Sequence, residues 1–191
     1  MLQGSTFELD VDKLKHLVHY ICHRKRDRPK QLSRTKLHKI LFYSDLQAYL
    51  SLGRPITGEV YIKHQFGPFS THLDEVVRSL EENDALVVSE DRYVAGKKER
   101  SHHLFFSRKE PVLSSFGPEE ISIVEHYIDF LTPYSTQAVS DASHDIVWQT
   151  RDIGEQIPYY SGFLYTLGEI RPQDLDWVRQ ELAEWEEGDE D

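Results

Sequence analysis

The chain has 191 residues, enough for one domain, and its 39% hydrophobic and 12% aromatic content is sufficient to fill a core. A net charge of -11 argues against a general nucleic-acid binder, and the single cysteine, Cys22, rules out an intrachain disulfide framework and agrees with a cytosolic setting. No apolar run approaches the roughly 20 residues that span a bilayer, and the start, MLQGSTFELD, lacks the basic and apolar regions of a secretory signal.

Asp10 is placed to cap a first helix, with Leu9 and Leu14 at the staple positions around it. Leu14, Leu17, Val18 and Ile21 then repeat at helical spacing, and Cys22 reads as core filler on that face. Residues 24–30 read as a polar loop with Pro29 as breaker. Ser33 caps a second helix whose buried face is Leu37, Ile40, Leu41, Ser44 and Ala48, and Gly53 stops it. Residues 59–66 read as extended. Gly67-Pro68 then turns the chain, and Ser70 or Thr71 caps a third helix with Leu73, Val76, Val77 and Leu80 inward. Gly67 is expected to adopt positive φ or to allow close approach to the second helix near Ser44 and Ala48.

Short strands at 86–89, 93–95 and 102–106 predict a small antiparallel β-ribbon, or wing, after the third helix. Gly117-Pro118-Glu119-Glu120 starts a fourth helix that runs to about Leu131, with Phe116 stapled to Ile121. Thr132-Pro133 breaks it, and Ser135 caps a fifth helix that ends near His144. A last helix starts at Pro172, carries Leu175, Val178, Leu182 and Trp185, and leads into an acidic tail. The expected fold is α+β and mainly helical, with about six helices and the small β-ribbon. Residues 1–9 form an N-terminal arm, 10–170 the domain, and 171–191 the C-terminal helix and tail.

The chemistry-bearing residues do not assemble an active site on sequence grounds. Asp141, Ser143 and His144 lie too close along one helix to face each other, and no Gly-rich elbow offers an oxyanion hole. His144 can satisfy backbone groups at a helix end, with Trp148 covering the junction. His16, His19 and His23 share one side of the first helix, but HEXXH and a completing ligand set are absent, so no metal is expected. Phosphate-binding glycine loops are also missing, so no cofactor is expected. The residues favour a binding protein.

Two blocks carry a resemblance. The first holds Lys36, Leu37, Lys39, Leu41, Tyr43 and Asp45 in KLHKILFYSD, then Gly53, Pro55 and Ile56, then Gly67-Pro68. The second holds Ser140, Ser143, His144, Trp148, Gly154, Ile157 and Pro158. In order and spacing they resemble the Panacea domain family, the SocA-like antitoxins also described as phage-associated GepA-like proteins. The resemblance covers about residues 10–170, with no helix-turn-helix extension before residue 10.

It implies an antitoxin of a two-gene toxin–antitoxin system that neutralises a cognate toxin by direct contact. It also implies an adaptor role in which the toxin is handed to an ATP-dependent protease, and a prophage setting. The shared positions are read as structural. Candidate partner-binding aromatics are instead those outside the predicted core faces: Tyr61, Phe66, Phe69, Tyr159, Tyr160, Phe163 and Tyr165. An acidic body would speed association with a basic toxin. The competing reading is a nucleic-acid or nucleotide-binding regulator that uses the basic segment 24–39 and the wing.

Overall fold

The computed structural model describes residues 7–95, 98–149 and 151–165. Helix α1 spans Val11–Arg24, and the Asp10 side chain caps it by accepting from Lys13 N at 2.9 Å. Its apolar positions, Leu14, Leu17, Val18 and Ile21, are fully buried, as the periodicity predicts. Cys22 is buried beside them, and burial pushes its thiol pKa up, so it stays an unreactive filler.

Helix α2, Arg34–Leu52, is the axis of the fold. Ser33 caps its start and Gly53, at φ 75°, ends it in the left-handed conformation. The sequence predicts one buried face, but the helix is enclosed on nearly all sides. Later helices, the first hairpin and the closing 3-10 helix all pack around it. Phe42 and Leu46 are therefore buried together with the expected Leu37, Ile40, Leu41, Ser44 and Ala48. Each buried Leu or Ile contributes roughly 1.5–3 kcal/mol over an exposed one. Full enclosure also draws Lys36, His38, Lys39 and Asp45 into the interior.

Strands β1 (Tyr61–His64) and β2 (Gly67–Ser70) form an antiparallel hairpin, with His64 paired to Gly67 and Lys63 to Pro68. This corrects the expected turn at Gly67-Pro68. The chain reverses at Gln65-Phe66, and the Gly-Pro pair opens the returning strand. Proline is tolerated there because β2 pairs on one side only. The third helix, α3, starts later than expected, at Leu73, with His72 at its cap and no side-chain cap bond. Leu73, Val76 and Leu80 are buried, and Val77 is half-buried against the core.

The wing is a longer hairpin than the three short strands suggested, β3 (Leu86–Ala95) against β4 (Lys98–Ser107). Its base is anchored in the core by Leu86 and Phe105. Helix α4, Pro118–Leu131, begins as predicted, with Gly117 N donating to Glu120 at 3.0 Å. Helix α5, Thr136–Ala142, is capped by Ser135. Three short pieces were not anticipated: a 3-10 turn at Pro29–Gln31, helix α6 at Ile146–Gln149, and a 3-10 helix at Tyr159–Tyr165. The described residues thus hold six α-helices and two small antiparallel sheets. The expected helix after Pro172 and the acidic tail lie outside them.

Candidate functional site

The charged residues of the first block turn inward. Lys36 donates to the carbonyls of Gln31 at 2.9 Å and Thr132 at 3.0 Å, tying the start of α2 to the end of α4. Lys39, 2% exposed, donates to the Pro68 carbonyl at 2.7 Å, and burial lowers its pKa to about 7. Asp45, 0% exposed, accepts from Thr57 N at 2.8 Å, Thr57 Oγ1 at 2.5 Å and Tyr61 Oη at 2.7 Å. Burial outweighs these bonds and pushes its carboxyl up to about 6. These three side chains satisfy buried polar groups where loops cross the central helix.

The second block wraps the first hairpin. Lys63 N donates to Glu155 O and Ile157 N to Tyr61 O, each at 2.8 Å, so residues 154–157 run along β1 as a further strand-like edge. Trp148 Nε1 donates to His64 O at 2.9 Å, and Lys63 Nζ sits 3.9 Å from the Trp148 ring centroid. Ser140 Oγ reaches Phe66 O at 3.2 Å. Gly67, at φ 94°, lies where the blocks touch. A Cβ there would fall 2.0 Å from Ser143 Oγ and 2.7 Å from Lys39 Nζ. Its close neighbours are therefore Lys39 and Ser143, not Ser44 and Ala48 as expected.

This wiring gives the two blocks a shared structural reason to occur together. The family model for the SocA-like antitoxin, Panacea domain, matches residues 37–149. The chain belongs to this family. No curated protein and no solved structure matches it. In this Panacea domain most of the motif residues are internal fasteners. Leu37, Leu41 and Ile157 fill the core, and Gly53 ends α2. Pro158 O accepts from Ser161 N and Oγ, starting the closing 3-10 helix.

The residues considered for chemistry are equally occupied. Ser143 is fully buried and donates to Ser140 O at 2.7 Å. The His144 ring stacks on Trp148 at 4.2 Å, as the covering role predicts. Its Nε2, however, is buried without a partner, so the expected backbone bond is not made by that atom. His19 Nε2 and His23 Nδ1 converge on Ser107 Oγ at 3.0 and 3.1 Å, fastening α1 to the wing. Among the described residues no group of three or more His, Cys, Asp or Glu is arranged to hold a metal. No described helix is long and apolar enough to cross a membrane.

The surface aromatics separate into two sets. Tyr61 is 1% exposed and belongs to the core, so it cannot be a partner contact. Alternation along β1 points it inward, and Asp45 satisfies its hydroxyl. Tyr159 is likewise engaged, donating to Glu59 O at 2.6 Å inside a cluster with Phe7, Tyr49 and Tyr61. Phe69 is half-buried and stacks on His38 at 4.0 Å. Phe66, Tyr160, Phe163 and Tyr165 remain exposed.

The basic segment is largely neutralised. Arg24 forks onto Glu125, Lys25 approaches Asp129, Lys30 approaches Asp91, and Arg34 pairs with Asp74.

Sequence reasoning missed Asp145. Its Oδ1 caps α6 by accepting from Trp148 N at 3.1 Å, and its Oδ2 accepts from Tyr43 Oη at 3.1 Å and Tyr165 Oη at 2.5 Å. The signal was present as an Asp three residues before Trp148, a standard N-cap spacing. Beside it, α2, α4 and α5 enclose an apolar groove of about 390 Å³.

Proposed function

We propose that this protein is the antitoxin of a two-gene toxin–antitoxin system and neutralises its cognate toxin by direct protein–protein binding. The observation that carries the reading is the family match over residues 37–149, together with the inward wiring of its motif side chains. Residues that lock a platform leave its outer surface free to be matched to a partner. In this reading the protein is not an enzyme. The fully buried Ser143 and the internally bonded Lys39 offer no group that a substrate can reach.

In this reading the domain reaches beyond the matched stretch, over about residues 10–170, and the packing of Leu14, Leu17, Val18 and Ile21 of α1 in the same core cluster supports its N-terminal bound. The partner surface is drawn from exposed aromatics, with Phe66, Phe69, Tyr160, Phe163 and Tyr165 as candidates. Cytoplasmic action, delivery of the toxin to an ATP-dependent protease and a prophage setting complete the proposal. A nucleic-acid role for the basic segment 24–39 is less well supported, because Arg24, Lys25, Lys30 and Arg34 already face Glu125, Asp129, Asp91 and Asp74, and Lys36 and Lys39 are buried on carbonyls.

Co-expression with the product of the adjacent gene tests the reading. That product alone should arrest growth, and this protein should restore it while forming a complex that co-purifies.

A further inference from the structure

A smaller pocket, of about 140 Å³, opens where the start of α2 meets the first hairpin. A single water needs roughly 10–15 Å³ of such space, so the pocket admits a group of several heavy atoms. Four of its lining side chains, Arg34, His38, Lys39 and His64, are cationic or can become so, and no described lining residue carries a carboxylate. General composition does not explain this, because acidic residues outnumber Lys and Arg by 33 to 22 in the chain. Arg34 and Thr35, which also lines the pocket, are the first two residues of the 19-residue α2, at the positive end of its dipole.

His38 decides what the pocket can recognise. The side chain is buried, its ring forms part of the wall, and its Nδ1 accepts from Ser70 N at 3.1 Å. A backbone amide can only donate, so Nδ1 carries no proton. Burial, with the positive charges of Lys39 and Arg34, holds the ring neutral by keeping its pKa well below the ordinary imidazole value. The one ring proton therefore sits on Nε2, which is buried with no described hydrogen-bond partner. A buried donor without an acceptor costs about 1–3 kcal/mol, and an incoming acceptor removes that cost.

The other walls divide between charge and apolar surface. Arg34 pairs with Asp74 at the surface, where both side chains are partly exposed, so its guanidinium can be shared with a ligand. Lys39 stays on Pro68 O at 2.7 Å and adds its charge without being a contact. The Phe69 ring stacks on His38 at 4.0 Å, and the Phe66 ring lies 5.5 Å from that of His64.

We propose that this pocket binds an oxyanion, a phosphate or carboxylate group held by the Arg34 guanidinium, the His38 Nε2–H and the positive end of α2. Phe66 and Phe69 accommodate the carbon that carries the group. The site stands independently of the antitoxin reading.

The test titrates inorganic phosphate and acetate separately into the full chain at constant ionic strength, with chloride as the reference anion. Nitrogen-15 NMR follows the His38 Nε2 signal, and calorimetry gives the affinity. At least one of the two anions should shift that signal saturably. Arg34→Gln, and His38→Asn, which retains an acceptor for Ser70 N, should bind that anion at least about fivefold more weakly. Asp74→Asn releases Arg34 from its surface pair and should tighten binding about two- to fivefold. Arg108→Gln, whose guanidinium faces Asp84 outside the lining, is the control and should bind as the wild type does. Thermal melting checks that each variant is folded, and the exposed Asp74→Asn change carries the test if His38→Asn is not.

No saturable shift beyond that of chloride, or unchanged affinity in both Arg34→Gln and Asp74→Asn, would overturn the site. The anion that binds, added to the complex with the adjacent gene product, then identifies the source of the group. A weakened complex assigns it to an acidic side chain of the partner, and an unchanged complex assigns it to a free anion.

Discussion

Gly67→Ala probes the junction between the two motif blocks. Two penalties act at this position. At φ 94° a side chain incurs the left-handed cost, roughly 1–2 kcal/mol. The new Cβ would also meet Ser143 Oγ at 2.0 Å and Lys39 Cε at 2.7 Å. Neither neighbour is free to leave, because Ser143 donates to Ser140 O and Lys39 to Pro68 O. Breaking one of these buried bonds adds about 1–3 kcal/mol. The expected loss is therefore roughly 2–5 kcal/mol. Gly53→Ala supplies the control, since Gly53 has φ 75° but nothing within 4 Å of its virtual Cβ. It should cost only the conformational part, about 1–2 kcal/mol. Urea denaturation of both variants measures the difference. If Gly67→Ala costs no more than Gly53→Ala, the close approach of the blocks is not a fastening point and the reasoning fails.

Other outcomes follow from the buried charges and the fasteners. The unfolded chain binds more protons than the native one between about pH 7 and the ordinary lysine value of 10.5, because burial lowers Lys39 to about 7. Lys39 thus makes stability rise with pH across that window, and Lys39→Met should flatten the rise in denaturation midpoint between pH 7 and 9.5 while lowering stability. Asp45 acts in the opposite sense. With its folded pKa raised to about 6, the native state holds the extra proton between about pH 4 and 6, so stability falls as pH rises through that range. Asp45→Asn should remove this component from the pH profile. Trp148→Phe should cost about 1–2 kcal/mol in denaturation, through the lost bond to His64 O and the weakened Lys63 contact. A duplex DNA titration at low salt should show no strongly salt-dependent binding, and a steep salt slope would revive the nucleic-acid reading.

The parts of the fold set by local chemistry were legible. Asp10, Ser33, Gly117 with Glu120, and Ser135 mark helix starts through bonds to residues three positions away. The periodicity of α1 identified its fully buried apolar face, although the second half of that helix, residues 17–23, is buried all round. Helix α2 was harder, since a helix enclosed on nearly all sides has no single apolar stripe. Gly67-Pro68 was misread because the pair usually punctuates turns, whereas here Gly67 makes room for Lys39 and Ser143. The basic segment looked like an interaction patch because its counter-charges, Glu125 and Asp129, lie about a hundred residues away in the chain. Tyr61 and Tyr159 looked available for the same reason. Their hydroxyl partners, Asp45 and Glu59 O, become neighbours only through the fold.

The most direct test of the account is growth of cells that express the adjacent gene product with and without this protein, followed by purification of the pair. The account predicts arrest by the neighbour alone, restored growth on co-expression, and a stable complex that survives gel filtration. A neighbour that is harmless alone, or that stays toxic without binding this protein, would contradict it.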